Sequence, residues 1–303
     1  MNINTKVTIA GVELANPVMT ASGTFGSGME YSRFMDLNAL GAVVTKGVAA
    51  VPWPGNPTPR IAETPSGMLN AIGLQNPGID TFISRDLKFL EQFQTRVVVN
   101  VCGHSIPEYL EVVERLSDEK RVDLLEINIS CPNVKEGGIA FGVDPRCAQQ
   151  VTEEVKKHAR QPVIMKLSPN VTDIAEMARA VEAGGADAIS LINTLTGMKI
   201  DIKKRAFALA NRTGGLSGPA IRPVAVRMVY QAAHAVTVPV IGMGGITCAE
   251  DALEFIMAGA SAVSVGTANF HDPQTAQRIP AGIEEFMRQQ KVADIRELIG
   301  CVG

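Results

Sequence analysis

Eight short apolar runs, at residues 17–21, 42–45, 97–101, 124–128, 163–167, 188–192, 238–242 and 262–266, constrain this chain more than any other feature. Each is rich in Val, Ile, Ala or Leu and ends at or beside a polar residue or glycine. Between most of them lie segments with helical periodicity, among them 107–116, 145–158, 174–183, 223–235 and 249–257. Continuous apolar strands alternating with amphipathic helices imply parallel strands buried on both faces. Eight such units in about 250 residues is the count of a closed barrel. The expected fold class is therefore α/β, a (β/α)8 TIM barrel with long inserted loops at its C-terminal face. An open doubly wound sheet is the rival, weakened because no G-x-G-x-x-G follows the first run.

Composition narrows the function classes. Hydrophobic residues make up 46% of the 303 and charged residues 19%, which excludes disorder and coiled coil. Lys plus Arg is 28 against 31 for Asp plus Glu, so no basic stripe tracks a phosphate backbone and no nucleic-acid partner is expected. The N-terminus has no apolar signal core. The longest charge-free stretch, 228–249, is broken by Pro239 and three glycines, so neither secretion nor a membrane span is expected and the location read is cytoplasmic. Five cysteines with no C-x-x-C, and four histidines with no metal-binding spacing, give no disulfide framework, zinc site or iron–sulfur cluster. With no repeat or linker, residues 1–303 are read as one domain.

Two connections, 47–79 and 193–219, are too long for plain crossovers, and loops of that length usually serve as lids or binding loops. The first holds Pro52, Pro54, Pro57, Pro59 and Pro65, which should make it stiff. In a barrel the chemistry sits where strands finish. Those positions hold Ser22, Lys46, Asn100, Asn128, Lys166, Asn193, Gly244 with Gly245, and Gly266 with Thr267. Singly, each fits a strand-end residue bonding its own turn; together they form a polar ring that needs a polar ligand. Ile241-Gly-Met-Gly-Gly-Ile and Val265-Gly-Thr bring backbone N–H groups within reach of an anion ahead of helix N-termini, as in a phosphate site, although glycines at tight corners have the same appearance.

Lys166 ends a buried strand and needs an anionic or strongly polar partner. It fits a Schiff-base lysine, a fixed charge against a cofactor that becomes anionic on reduction, or a structural ion pair, and Lys46 poses the same choice. Cys131 lies just past the fourth run, on a segment kept irregular by Pro132, Gly137 and Gly138. Its thiol can act as base or nucleophile if its pKa falls, or it can be an inert small hydrophobe. Cys102 reads as packing, and Cys147, Cys248 and Cys301 as structural.

The motifs Asn128-Ile-Ser-Cys-Pro-Asn, Thr20-Ala-Ser-Gly-Thr-Phe-Gly, Thr45-Lys-Gly, Asn70-Ala-Ile-Gly-Leu-Gln-Asn and Met243-Gly-Gly-Ile resemble those of the dihydroorotate dehydrogenases, in the family's order, from about residue 5 to 290. Cysteine at 131, where class 2 membrane enzymes carry serine, and Lys135-Glu-Gly-Gly are most similar to class 1B. The resemblance implies an FMN-binding barrel that oxidises dihydroorotate to orotate in pyrimidine biosynthesis, with Cys131 as catalytic base. It carries FMN roles to Ser22, Thr45, Lys46, Asn100, Asn128, Lys166, Ile192, Gly218, Gly244, Gly245, Gly266 and Thr267. Substrate roles fall on Lys46, Asn70, Ala71, Ile72, Gly73, Leu74, Asn128, Asn193 and Thr194. It further implies an electron-transfer partner subunit with FAD and a 2Fe-2S cluster that passes electrons to NAD, in a heterotetramer around a homodimer of this chain. A class 1A enzyme using fumarate, a dihydropyrimidine dehydrogenase and a Schiff-base lyase are the alternatives.

Overall fold

A computed structural model describes residues 3–129, 135–136 and 139–302. Eight parallel strands close into a barrel: β1 (Val18–Thr20), β2 (Ala42–Val44), β3 (Arg96–Val101), β4 (Leu124–Asn128), β5 (Val163–Lys166), β6 (Ala188–Leu191), β7 (Val240–Met243) and β8 (Ala262–Val265). Each falls on one of the eight apolar runs. Every residue of these strands is buried except Arg96, as expected for strands covered on both faces. The ring closes through β8 against β1, with Val263 opposite Val18 and Val265 opposite Thr20. The open sheet is thereby excluded.

The crossover helices follow the periodicity: Ile106–Ser117, Pro145–His158, Ile174–Ala183, Arg222–Ala233 and Ala249–Met257. Their starts are chemically marked. The Asp144 side chain accepts from Cys147 N ahead of Pro145, and that of Asp173 accepts from Ala175 N and Glu176 N, satisfying donors that a first helical turn leaves open. The helix Thr275–Gln290 follows the last strand with Pro280 inside it. Between β1 and β2 only two short 3-10 turns occur, Tyr31–Arg33 and Leu37–Ala39.

The two long connections pair with each other. Ile61–Thr64, Gly67–Asn70, Thr213–Ser217 and Leu195–Met198 form an antiparallel sheet, with Asn70 opposite Gly215 and Met68 opposite Ser217. A small apolar cluster of Leu69, Ala71 and Leu209 holds this sheet, apart from the main core. Among the described residues no helix is long and apolar enough to cross a membrane.

Candidate active site

Because the strands are parallel, their carboxyl ends share one face of the barrel, and a cavity of about 480 Å³ opens there. Ser22, Lys46, Asn128, Lys166, Ile192, Asn193, Gly244, Gly245, Gly266 and Thr267 all line it, with Gly218 and Thr194 from the second long connection. The first long connection contributes Asn70, Ala71, Ile72, Gly73 and Leu74. Two predicted residues do not line it. Thr45 and Asn100 are wholly buried beside the cavity: the Thr45 hydroxyl accepts the Asn100 N–H at 3.3 Å and donates to the Lys46 carbonyl at 3.1 Å. Cys131 lies outside the described residues.

The segment 70–74 is cinched from both sides. Asn56 donates its side-chain amide to the Ala71 carbonyl at 3.0 Å, and Asn76 donates to the Leu74 carbonyl at 2.9 Å. Gly73, at φ +73°, leaves no room for a Cβ, which would fall 2.7 Å from the Asn56 backbone nitrogen. Across the cavity Asn170 donates to the Thr194 carbonyl at 3.1 Å and accepts from Thr196 N at 2.9 Å. The Tyr109 hydroxyl donates to the Asn128 carbonyl at 2.7 Å, anchoring the end of β4.

Charge concentrates on the barrel side. Lys166 is 4% exposed, and its ammonium stands 3.5 Å from the carboxylate of Glu126, itself 2% exposed. The Asn100 side chain donates to the same Glu126 oxygen at 2.9 Å. Among the described residues no carboxylate comes within 4 Å of the Lys46 ammonium. Burial pulls the Lys46 pKa below the usual lysine value; the Cys102 thiol works against this, while the positive charges of Lys166 and Arg60 add to it. Two lysines therefore face the cavity and one buried carboxylate stands beside Lys166, an imbalance that fits an anionic ligand.

Gly244 has φ +132° and Gly245 φ +80°, and a Cβ on Gly245 would lie 2.8 Å from the Gly218 carbonyl oxygen. Backbone at both positions can thus approach a ligand closely. The helix after β7 starts only at Ala249, and the Thr247 N–H and hydroxyl both donate to Asp251, so the glycine backbone faces the cavity and that helix end does not. After β8, Gly266 and Thr267 lead directly into the short helix Ala268–His271. Buried Ser264 Oγ, at the cavity wall, has no hydrogen-bond partner among the described residues. Such an orphan is costly unless a ligand satisfies it. A planar, phosphorylated, partly anionic group such as FMN fits this donor set.

Strand-end reasoning missed Glu126, Ser264 and Asn170. Glu126 and Ser264 were visible as polar residues inside otherwise apolar runs, and Asn170 follows Lys166 in Lys166-Leu-Ser-Pro-Asn. Among the described residues no cluster of His, Cys, Asp and Glu is placed to hold a metal ion.

A closed parallel barrel with a glycine-lined, lysine-bearing pocket at its carboxyl face defines the class as a (β/α)8 barrel with its candidate site at the strand ends. The family model for dihydroorotate dehydrogenase matches residues 4–287, and the chain belongs to that family. It is 71% identical over 300 residues to the dihydroorotate dehydrogenase B (NAD(+)) catalytic subunit of Lachnoclostridium phytofermentans, covering 99% of this chain and 100% of that one. It is 62% identical over 298 residues to the protein of the same description from Alkaliphilus metalliredigens, covering 98% of each.

Proposed function

We propose that residues 1–303 form one FMN-binding barrel domain, the catalytic subunit of a class 1B dihydroorotate dehydrogenase that oxidises dihydroorotate to orotate for pyrimidine biosynthesis in the cytoplasm. The observation that carries this reading is the convergence of Lys46, Lys166, Asn70, Asn128, Asn193 and the Gly244–Gly245 backbone on one cavity. The descriptions of the relatives, as NAD(+)-type catalytic subunits, support a separate partner. That partner is proposed to carry FAD and a 2Fe-2S cluster, to pass electrons to NAD, and to join a homodimer of this chain in a heterotetramer.

FMN, when bound, accepts the electron pair and hydrogen that leave C6 of dihydroorotate. The chain supplies the rest. The backbone of Gly218, Gly244, Gly245, Gly266 and Thr267, with Ser22, would hold the phosphate. The side-chain amides of Asn70, Asn128 and Asn193 offer both donors and acceptors, which suits an amide-rich pyrimidine ring. The Lys46 ammonium, with no carboxylate of the described chain beside it, balances the substrate carboxylate. Cys131 Sγ takes the C5 proton as general base, so that C5 and C6 become doubly bonded. The Lys166 ammonium opposes the negative charge that accumulates as electrons arrive.

The purified protein should be yellow, and its visible band should bleach with dihydroorotate but not with dihydrouracil. A colourless preparation that takes up no FMN would end the reading. NAD reduction that appears only when an iron–sulfur flavoprotein is added supports the class 1B assignment; rapid turnover with fumarate by this chain alone overturns it in favour of class 1A.

A further inference from the structure

Among the described residues Glu126 is a strongly buried acid just behind the cavity wall, beside Lys166, and no role proposed above uses it. It stands in Leu124–Asn128 with Leu124, Leu125 and Ile127, all wholly buried, and its side chain is 3% exposed. An apolar residue would fill that layer without desolvating a charge, so the carboxylate needs its partners. Those partners are the Lys166 ammonium at 3.5 Å and the Asn100 amide at 2.9 Å. Asn100 is itself held, its N–H donated to the Thr45 hydroxyl at 3.3 Å.

The strand register gives the direction of the pair. Glu126 lies opposite Asn100 of β3 and Ile164 of β5, whereas Lys166 lies opposite Asn128. Glu126 and Asn128 point to the same side of β4, about 7 Å apart along it. Asn128 and Lys166 line the cavity, and Glu126 does not. The ammonium is therefore bracketed, with the cavity on one side and the carboxylate one layer deeper on the other. Touching no ligand, Glu126 can act on one only through the field it shares with Lys166.

We infer that Glu126 is a positioning residue and counter-charge for Lys166 that sets the reduction potential of the flavin bound above it. This rests on the FMN reading above. A flavin gains negative charge on reduction, the two lysines favour that charge, and Glu126 cancels part of their effect. A unit charge roughly 8 Å away at an effective dielectric of about 20 changes an equilibrium by roughly tenfold or more. Tenfold on a two-electron couple is about 30 mV.

The test is the midpoint potential of the FMN-loaded protein, titrated against a reference dye. Glu126→Gln should hold its reduced flavin at least about tenfold more tightly relative to the oxidised form, a rise of about 30 mV or more, and Glu126→Asp should stay near wild type. A Gln variant that binds FMN with an unchanged or lowered potential overturns the inference and leaves the FMN reading intact. A wild-type protein that binds no FMN overturns both. If Glu126→Gln does not fold or load, the test rests on Glu126→Asp, which keeps the charge on a shorter side chain: a potential within about 30 mV of wild type agrees with a counter-charge, and a larger shift overturns the inference.

Discussion

Gly245→Ala should weaken FMN binding to this protein by displacing backbone, with no functional side chain lost. The added Cβ would stand 2.8 Å from the Gly218 carbonyl oxygen and 3.1 Å from the Arg222 nitrogen, at φ +80°. Both atoms are backbone, so neither can rotate aside. The left-handed conformation costs an L-residue about 1–2 kcal/mol, and the overpacking adds about 1–3 kcal/mol. At ~2.1 cal/mol/K per residue, unfolding a chain of 303 residues has an entropy of about 0.6 kcal/mol/K, so Tm should fall by about 3–8 °C. The clash is relieved by moving the Gly218 and Gly245 segments apart by roughly half an ångström, the tolerance within which a preorganised site must be held. FMN affinity, titrated by fluorescence quenching, should fall about 10- to 100-fold. Gly259→Ala is the control. Its φ is +116°, and its Cβ would meet Ala233 Cβ at 2.6 Å, outside the cavity. It should lower Tm comparably and leave FMN affinity unchanged. Wild-type FMN affinity in Gly245→Ala, or equal FMN loss in both variants, would refute the cradle.

Cys131→Ala should keep FMN bound and slow its reduction by dihydroorotate about 10²-fold; a normal single-turnover rate removes Cys131 from the mechanism. Lys46→Met should unfold at a higher temperature than wild type at pH 7 in the absence of ligands, and should bind orotate poorly. The sign follows from the lowered Lys46 pKa: a buried lysine destabilises the fold while protonated, so wild-type stability recovers as pH rises through the folded pKa toward the ordinary value of 10.5, and the gap narrows. A gap independent of pH in differential scanning calorimetry would refute this. Leu69→Ala, in the small cluster beneath the substrate segment, should cost about 2–4 kcal/mol locally. It should raise the KM for dihydroorotate more than it lowers kcat; a change in kcat alone would show that the two long connections do not position 70–74.

The barrel was legible because burial on both faces forces each strand to be a continuous apolar run, and because Asp144-Pro145 and Asp173 mark helix starts chemically. The strand ends then gave nine of the cavity residues by position alone. Other parts left no local trace. The sheet joining 67–70 to 213–217 depends on the register of segments about 145 residues apart, with glycines and polar residues that carry no strand pattern. Helix Thr275–Gln290 holds Pro280, which interrupts the periodicity that finds helices. Thr45 and Asn100 sit at strand ends as expected, yet each spends its side chain on a neighbour within the barrel wall.

Polarity inside this barrel is graded along its axis, and the gradient explains why sequence position carried so much of the site. The first two residues of β1, β5, β6, β7 and β8 are all apolar, whereas Thr20, Asn100, Asn128, Lys166, Ser190 and Ser264 lie in the second halves of their strands and Glu126 at the middle of its own. In an antiparallel sheet such residues would be scattered between two ends. In a parallel one they coincide, so polar atoms accumulate at the same end of the barrel. Three of them, Asn100 Oδ1, Ser190 Oγ and Ser264 Oγ, find no hydrogen-bond partner among the described residues. An apolar core there would be more stable without ligand, and the fold accepts this cost where sites are commonly strained or unsatisfied. The apolar halves hold the barrel closed, and the polar halves keep side-chain atoms and charge available for a ligand.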